Sequence, residues 1–366
     1  MSQWSISFSY RLGLGFHALN NEGADGSNLM LPRRIDVGKL TYDGISGEII
    51  RHHILENFVN VCNSQTPRIE MLPLSEGLHP DRGPIGILAA ARNGRTKAQK
   101  LNSENLFPSV REAIKRCAVL DVGGFLAAWK EEKSSDGEVS NSSEKKKKGY
   151  VAEKDYLERN CDTIGDVDPV KRESCFDVAW LISEEPQDST ITQHSSYRDT
   201  ASLNMRYSQT MRSNVYGGVI RADLHRVGTD DYWYLQNDAT RQIEGIDTTQ
   251  RQLALVEAIV NFIASPTGAK TAGWAPHVFL CEGAILLSSV RTAPFVSPIK
   301  VNVKEEKTPV SFNSAYQTEM GKLKNDSDTR VWPFKDVNEL LSSLTEIKQQ
   351  IEGKGNGQAS EETKKS

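Results

Sequence analysis

The side chains best suited to binding a charged ligand lie in one polar stretch near the start of the chain, FHALNNEGADGSNLMLPRR, at residues 16–34. Its asparagines each offer hydrogen-bond donors and an acceptor, and its two adjacent arginines carry planar, permanently charged guanidinium groups that fit phosphate oxygens. Its glycines let the backbone turn sharply and approach a ligand closely. We therefore predict a binding loop. Its expected contact residues are Asn20, Asn21, Gly23, Asn28, Arg33 and Arg34.

A second stretch with similar chemistry, at residues 186–213, separates two strand-like segments. Tyrosine and methionine side chains alternate there with arginines, and this combination can stack on nucleic-acid bases while contacting phosphates. A connection of about 30 residues with little core pattern is also too long for a tight turn and favours a functional role. The expected contact residues are Tyr197, Arg198, Asn204, Met205, Arg206, Tyr207 and Arg212.

Two further motifs suggest metal or nucleotide sites, but their spacing does not support either. His52 and His53 are adjacent on a helix predicted from Ser46, whereas two metal ligands on one helix face need a spacing of four residues. The sequence GAKT, which begins at Gly268, lacks the glycine positions of a phosphate-binding P-loop and follows a predicted helix, not a strand. We predict no bound metal and no cofactor.

Side chains capable of acid–base chemistry also occur, but the sequence places no nucleophile beside them. Arg221, Asp223 and His225 share one face of a predicted strand, although such a trio is more often the polar face of a sheet than a catalytic group. In the opening stretch, Glu22 or Asp25 could support metal-assisted cleavage of a bound strand. The asparagine and arginine content there fits binding better, so we predict that the protein is not an enzyme.

Composition narrows the class of protein. The chain has 366 residues, of which 38% are hydrophobic and 25% are charged, and its net charge is −4. These values are typical of a soluble globular protein of one or two domains, and no apolar run approaches the ~20 residues of a membrane span. Five widely spaced cysteines without a CxxC motif favour free thiols over disulfides or a zinc site. We expect a cytoplasmic protein without membrane contact.

Hydrophobic periodicity predicts an α+β fold. Strands are expected at residues 5–15, 175–183, 214–228 and 277–290, and helices at 46–62, 247–264 and 337–351. The first strand should be half-buried, with Ser5, Ser7, Ser9 and Arg11 on its outer face. The order strand, helix, insertion, two strands, helix, strand fits a split βαβ, ferredoxin-like core.

Three parts of the sequence resemble a known family. HALNNEGADGSNLMLPRRI, followed by ISGEIIRHHILENF, is similar to the N-terminal signature of the DevR-type RAMP proteins, the repeated backbone subunits of the Cascade effector in type I CRISPR systems. The similarity continues in ITQHSSYRDTASLNMRYSQTMRSNVYGGVIRADLHRVG and in TGAKTAGWAPHV. It covers residues 5–61 and 175–290 and leaves out the intervening insertion and the C-terminal tail.

The resemblance implies a modified RRM/ferredoxin-like palm with a finger insertion and a β-hairpin thumb. The expected segments are a palm at residues 1–61 and 175–304, a finger at 62–174 with a mobile loop at 134–149, a thumb at about 186–213, and a C-terminal segment with a helix at 305–351. The composition of residues 352–366 predicts a disordered tail.

The same resemblance implies a role and its partners. Copies of such a subunit stack head-to-tail along the spacer of one CRISPR RNA, and each thumb displaces one base at regular intervals, so that the exposed segments pair with target DNA. The implied partners are CRISPR RNA, target DNA through the guide, other copies of the chain, and other Cascade subunits (the backbone cap, the large subunit and the repeat-processing nuclease). Arg51, His52, Lys270 and Trp274 would approach the RNA backbone.

Two related roles stay open. Backbone subunits of type III complexes cut target RNA with an aspartate in the loop after the first strand, and Asp25 lies in the comparable region of this chain. The family name DevR also suggests an autoregulatory nucleic-acid binder. A CRISPR-RNA-processing nuclease fits less well, because GAKTAGW does not match the glycine-rich loop of that group.

Overall fold

A computed structural model describes residues 4–19, 21–24, 29–67, 69, 111, 114–115, 117–127, 170–186, 189–196, 205–231, 241–266, 277–289, 292–323 and 329–362. For residues 21–24, 29–31, 125–127, 170–171, 189–196, 205–209 and 354–362 the description is limited to the backbone. The strands are β1 (Ser5–His17), β2 (Asn21–Ala24), β3 (Leu29–Pro32), β4 (Arg34–Val37), β5 (Leu40–Ile45), β6 (Phe125–Ala127), β7 (Val170–Arg172), β8 (Phe176–Val178), β9 (Leu181–Pro186), β10 (Ser189–Ser196), β11 (Met205–Ala222), β12 (His277–Ser288), β13 (Ile299–Val301), β14 (Val310–Phe312) and β15 (Arg330–Phe334). The α-helices are α1 (Gly47–Ser64), α2 (Ala118–Gly123), α3 (Thr248–Ala264), α4 (Tyr316–Lys322) and α5 (Val337–Glu362).

The chain forms two compact units, and both are discontinuous in sequence. The larger unit comprises residues 1–64, 176–225 and 252–366, and the smaller unit comprises 65–175 and 226–251. The bounds of its first segment, 65–175, nearly coincide with those of the predicted insertion at 62–174. Residues 226–251 belong to the smaller unit, whereas the prediction assigned them to the palm. They contact residues 111–175 through arginine and aspartate side chains that are buried or half-buried.

The larger unit has a mixed α/β fold built on an antiparallel sheet, and β1 lies inside this sheet. β1 pairs antiparallel with β11 on one side and with β12 on the other. β8 and β9 extend the sheet beyond β11, and β15 extends it beyond β12. In chain order, β1, α1, β8, β11, α3 and β12 follow the predicted order of strand, helix, two strands, helix and strand.

Both faces of β1 are buried, which corrects the predicted half-buried strand. Ser7 donates its hydroxyl proton to the Pro294 carbonyl at 2.6 Å, and the Arg11 guanidinium lies 3.7 Å from the centre of the Phe312 ring. Ser5, Ser7 and Ser9 are fully buried. The segment 292–323 therefore covers the serine face, and serine fits there because its side chain is small and can hydrogen-bond.

The opening stretch is a set of short strands, whereas the sequence predicts a loop. β1 continues to His17, and β2, β3 and β4 follow within the next 20 residues. β2 pairs with β3, and β4 pairs with β5. Strand prediction depends on an alternation of apolar and polar side chains. Residues 16–34 are mostly polar and lack this alternation, so the sequence contains no signal for strands that pair through the backbone.

The predicted hairpin at 186–213 is present in the backbone. β10 pairs antiparallel with the first half of β11, from Ser189 opposite Arg212 to Ser196 opposite Met205. β11 then continues into the centre of the sheet, so the hairpin is an extension of a core strand. This continuity fixes the direction in which the hairpin leaves the sheet.

The helices begin near their predicted residues. Asp247 accepts a hydrogen bond from the Gln250 amide at 2.9 Å and is therefore the N-cap of α3. α5 begins at Val337 as predicted but continues to Glu362, so residues 352–362 are helical where the sequence predicts a disordered tail. Among the described residues, no helix is both long enough and apolar enough to cross a membrane.

The cysteines that the structure describes are buried free thiols, as predicted. These are Cys62, Cys117, Cys175 and Cys281. Burial raises the pKa of both Cys175 and Cys281 to about 12, so each stays protonated and acts as a small apolar side chain. Cys161 lies outside the described residues.

Candidate nucleic-acid interface

Three strand ends, each within or next to a segment that the sequence singles out, lie at one end of the sheet. β1 ends at His17, where the opening stretch continues, and β12 begins at His277, shortly after the stretch containing Lys270 and Trp274. β11 is antiparallel to β1, with Arg212 opposite His17, so the β10–β11 hairpin extends from this end as well. We call the strand ends at His17, Arg212 and His277 the hairpin end of the sheet.

Backbone pairing joins the opening stretch to the hairpin. Leu29 and Met30 in β3 pair in parallel with Ser208 and Gln209 in β11. β2 in turn pairs with β3. The opening stretch therefore lies alongside the hairpin, and two polar segments that are about 180 residues apart in sequence share one surface.

A buried ion pair at the hairpin end joins β5, β11 and the residues that follow β1. Arg212 donates from Nη1 to Oδ1 of Asp43 and from Nη2 to the carbonyl of Leu19. Tyr216 donates its hydroxyl proton to the other Asp43 oxygen. The side chains of Arg212 and Asp43 are only 1% and 2% exposed. Since an unpaired buried charge is costly, this pairing stabilises one arrangement of the three segments.

His17 completes this network as a defined tautomer. The Leu19 amide donates to Nδ1 at 3.3 Å, so Nδ1 is unprotonated and the ring proton lies on Nε2. Nε2 then donates to the Tyr216 hydroxyl at 2.8 Å. Burial, together with the charge of Arg212, holds the pKa of His17 well below its usual value. Burial also raises the pKa of Asp43, against the opposing effect of Arg212.

Arg212 is therefore not available as a phosphate contact, contrary to the prediction. Its guanidinium is buried and donates to Asp43 and Leu19. The alternation of arginine with aromatic residues in the sequence cannot distinguish an arginine at the base of a hairpin from one farther along it. What Arg212 does instead is fix the base of the hairpin to β5.

The neutral state of buried His17 predicts a loss of stability on acidification. In the unfolded chain a histidine takes up its proton near pH ~6.5, whereas the lowered pKa of His17 prevents this in the folded protein. The stability from this group is fully present above the unfolded-state pKa and declines as the pH falls below it. When the pH is lowered from about 7 to about 5, the free energy of unfolding of His17→Gln should therefore decrease by less than that of the parent.

Chemical denaturation across this pH range measures the difference between the two proteins. The groups facing His17 are Arg212, Asp43 and Tyr216, and all three are present in both proteins. The pKa of buried His53 is also lowered, but its contribution is common to both and cancels in the comparison. An equal pH dependence in parent and variant would contradict a neutral, buried His17.

The two adjacent arginines of the opening stretch occupy different environments. Arg33 is half-buried, and its guanidinium lies 5.4 Å from the centre of the Trp180 ring. Arg34 is exposed in β4 and pairs through its backbone with Asp43. Arg34 thus presents its charge to solvent one strand away from the buried ion pair. Phosphate contact by either arginine stays a prediction.

Arg51 and His52 lie away from the hairpin end. The Arg51 guanidinium is 5.7 Å from the centre of the Phe176 ring, and Phe176 is the partner of Ala222 at the far end of β11. Along β11, Ala222 is separated from Arg212 by ~33 Å at the usual strand rise of ~3.3 Å per residue. The structure therefore places Arg51 at the other end of β11 from His17 and Arg212.

Glu56 joins the two adjacent histidines of α1 in one cluster. Its Oε1 lies 3.1 Å from Nε2 of His52, and its Oε2 lies 2.7 Å from Nδ1 of His53. Within the described part of the chain, these three side chains form the one group spaced to hold a metal ion, with ligand atoms within 4.8 Å of one another. The adjacent positions of the two histidines in the sequence do not reveal that Glu56 lies between their side chains. Hydrogen bonds among the three account for the arrangement.

The trio of Arg221, Asp223 and His225 does not share a strand face. β11 ends before Asp223, and His225 lies in a 3-10 turn at Leu224–Arg226. Arg221 forms an ion pair with Asp177 at 2.8 Å and lies 3.8 Å from Asp223. These partly exposed ion pairs fit a polar surface of the sheet.

Many predicted contacts lie outside what the structure describes. Those outside the described residues are Asn20, Asn28, Tyr197, Arg198, Asn204, Lys270 and Trp274. Asp25, the residue of the alternative ribonuclease role, also lies outside the described residues. Those described by their backbone alone are Asn21, Gly23, Met205, Arg206 and Tyr207. Their contacts with RNA stay predictions.

Sequence reasoning missed Asp43 and Tyr216, and it treated His17 as part of a loop. An aspartate inside the otherwise strand-like LTYDGI is the one local signal, because a charge at a buried strand position needs a partner. The sequence alone does not say which arginine is that partner.

Comparison with known proteins gives the class. The family model described as "CRISPR-associated negative auto-regulator DevR/Csa2" matches residues 8–308. No curated protein of assigned function matches. Among solved structures, a chain titled "CRISPR RNA-guided surveillance complex" covers 92% of both chains at 9% identity and a TM-score of 0.38. The Csc2 protein of Thermofilum pendens is 9% identical with a TM-score of 0.36, covering 95% of this chain and 85% of its own.

The match to the family model extends over most of the chain and includes the opening stretch, the hairpin and most strands of the sheet. This protein is a CRISPR-associated protein and belongs to the DevR/Csa2 family. The resemblance seen in the sequence is thereby confirmed.

Proposed function

We propose that the protein is a CRISPR-RNA-binding backbone subunit of a type I Cascade complex. The observation that supports this most strongly is the meeting of the opening stretch, the β10–β11 hairpin and the start of β12 at one end of the sheet. Each of these segments contains or adjoins residues that the sequence predicts to contact RNA. Family membership supplies the CRISPR context.

In this proposal, the sheet of β12, β1, β11 and β8 with helices α1 and α3 is the modified RRM-like palm. The β10–β11 hairpin is the thumb that displaces a base of the guide, and the smaller unit is the finger. Arg34 and the polar side chains of the opening stretch contact RNA phosphates. Arg212 and Asp43 hold the base of the thumb without touching RNA.

Copies of the chain would bind head-to-tail along the spacer, since a head-to-tail contact that does not close generates an open helical assembly. The guide segments left exposed between thumbs would pair with target DNA. In this role the protein positions RNA and performs no cleavage. The other Cascade subunits would contact the ends and side of the assembly.

The decisive experiment is to purify the protein from cells that contain its CRISPR array and to extract the bound nucleic acid. We expect a defined small RNA carrying spacer sequence, associated with several copies of the chain. A monomer without nucleic acid would contradict the proposal. Regular cuts in complementary RNA, lost in Asp25→Ala, would instead identify a ribonuclease, and guide-independent binding to duplex promoter DNA would identify a regulator.

The dependence of RNA affinity on salt tests the position of the interface. Each phosphate neutralised on a single strand contributes about −0.7 to the slope of log K against log salt concentration, so Arg34→Gln should flatten the slope by about this amount. Arg330→Gln is the matched control, because Arg330 is also exposed but lies in β15, at the opposite edge of the sheet from β4. Equal slopes for all three proteins would show that Arg34 does not contact RNA.

A further inference from the structure

Phe16 has an unusual backbone conformation for an exposed aromatic residue. Its φ is +51°, in the left-handed region that glycine and asparagine occupy more readily. Its side chain is nonetheless 63% exposed, so burial of the ring does not offset the strain. Strained residues of this kind concentrate at functional sites, where the surrounding structure holds them in place.

The surrounding structure does hold Phe16. Its amide donates to the Ser213 hydroxyl at 2.9 Å, and the following residue, His17, is fixed by its hydrogen bond with Tyr216. The pairing of β1 with β11 shifts register between Leu14 and His17, which places Phe16 in a bulge. Bulges often redirect a side chain next to a functional site.

Phe279 is a second exposed aromatic residue on the neighbouring strand. Its side chain is 59% exposed, and its ring packs over Gly13, where an added Cβ would lie 2.4 Å from the ring. A Cβ at Gly15 would lie 3.7 Å from the same ring. One side of the ring is therefore supported by the β1 backbone, while much of the rest is open to solvent.

Both rings belong to the hairpin end of the sheet. Phe16 immediately precedes His17, and Phe279 is two residues after His277, which is the partner of Gly15. Exposed aromatic rings of this kind are the side chains on which the bases of single-stranded nucleic acid stack.

We propose that Phe16 and Phe279 form a stacking surface for unpaired RNA bases at the hairpin end. This inference rests on the proposed RNA-binding function and adds a site to it, outside the residues selected from sequence. Because the β1 backbone supports one side of the Phe279 ring, little freedom of that side chain is lost when a base stacks on it.

The test is fluorescence anisotropy of the full chain with labelled single-stranded RNA, using Phe16→Gly, Phe279→Leu and the control Phe295→Leu. Phe295 is 48% exposed but lies in the segment covering the serine face of β1. Loss of one stacked base corresponds to ~1–3 kcal/mol, so each of the first two variants should weaken binding about 5- to 150-fold. The control should bind as the parent does.

Two readouts distinguish stacking from a structural role. RNA containing 2-aminopurine should be quenched by the parent and less by Phe16→Gly and Phe279→Leu, while binding of abasic RNA should be the same for all proteins. Phe16→Gly should melt at the same temperature as the parent or higher, because glycine relieves the positive φ. A lower melting temperature with unchanged RNA affinity would overturn the proposal.

Failure of this inference is distinct from failure of the proposed function. If the parent binds RNA and both phenylalanine variants bind it equally well, the stacking surface is wrong and the RNA-binding function stands. If the parent binds no RNA, both are wrong. If the variants lose self-association instead of RNA affinity, the rings contact a second copy of the chain and the stacking proposal is overturned.

Discussion

Replacing Arg212 with methionine is expected to lower the free energy of unfolding of the larger unit by about 3–5 kcal/mol, the usual effect of removing one partner from a buried ion pair. The change leaves the carboxyl group of Asp43 buried without its counter-charge, with the Tyr216 hydroxyl as its remaining hydrogen-bond donor from this network. It also leaves the Leu19 carbonyl without the donor it has in the parent. Methionine roughly fills the space of the arginine stem, so the loss reflects charge more than packing.

Chemical denaturation of parent and variant measures this loss, and Arg221→Met on the same strand is the control. Arg221 also pairs with an aspartate, Asp177, at 2.8 Å, but the side chains are 30% and 71% exposed. An exposed pair contributes only about 0–1 kcal/mol, so the control should be close to the parent. Similar losses at both positions would show that burial does not determine the effect.

A double variant, Arg212→Met with Asp43→Asn, separates the charge from the shape of the site. Removing both charges leaves no uncompensated buried ion, so the double variant should recover part of the stability lost by Arg212→Met alone. The amide oxygen introduced at position 43 can still accept a hydrogen bond from the Tyr216 hydroxyl. If the double variant lost more free energy of unfolding than the two single variants lost together, the buried carboxylate would not be the cause of the Arg212→Met defect.

The sequence predicted β1, β12 and the second half of β11 because these strands carry a period-two pattern that side-chain burial requires. The alternation of apolar residues in β1 was visible and correct, but the serine face was assigned to solvent. Periodicity reports only that one face is apolar. Whether a later segment covers the other face depends on tertiary contacts, such as the one between Ser7 and the Pro294 carbonyl, which no local pattern encodes.

The candidate site was predictable in composition but not in geometry. Arginine, asparagine and aromatic residues drew attention to the opening stretch and the hairpin, and these two segments pair with each other in the structure. Composition could not separate the exposed Arg34 from the buried Arg212, since the difference arises from one aspartate in β5. Composition also could not predict the positive φ of Phe16.

The smaller unit contains a second buried network, centred on Asp121 in α2. Arg172 donates to Oδ1 at 2.6 Å and Arg251 donates to Oδ2 at 3.0 Å. The amide of Gly228 also donates to both carboxylate oxygens. The side chain of Asp121 is fully buried. One carboxylate thus joins α2, β7 and both ends of residues 226–251, which explains why those residues belong to this unit.

Asp121→Asn should therefore destabilise the smaller unit by at least about 3–5 kcal/mol, because it leaves two buried guanidinium groups without their shared counter-charge. Asparagine keeps the size of the side chain, so the loss is not attributable to a cavity. The matched control is Asp231→Asn. Asp231 contacts the same Arg172 at 3.2 Å, but its side chain is 28% exposed, so its removal should cost much less.

Hydrogen exchange resolved by peptide measures this effect where it occurs. In Asp121→Asn, amides in residues 117–124, 170–175 and 226–251 should exchange far faster, while those of β1 and β11 in the larger unit should change little. Asp231→Asn should leave both regions near the parent rates. Equal acceleration in both units would mean that they unfold together, and no acceleration in residues 226–251 would show that Asp121 does not hold this segment. The experiment thus tests directly whether one buried carboxylate defines the boundary that hydrophobic periodicity failed to predict.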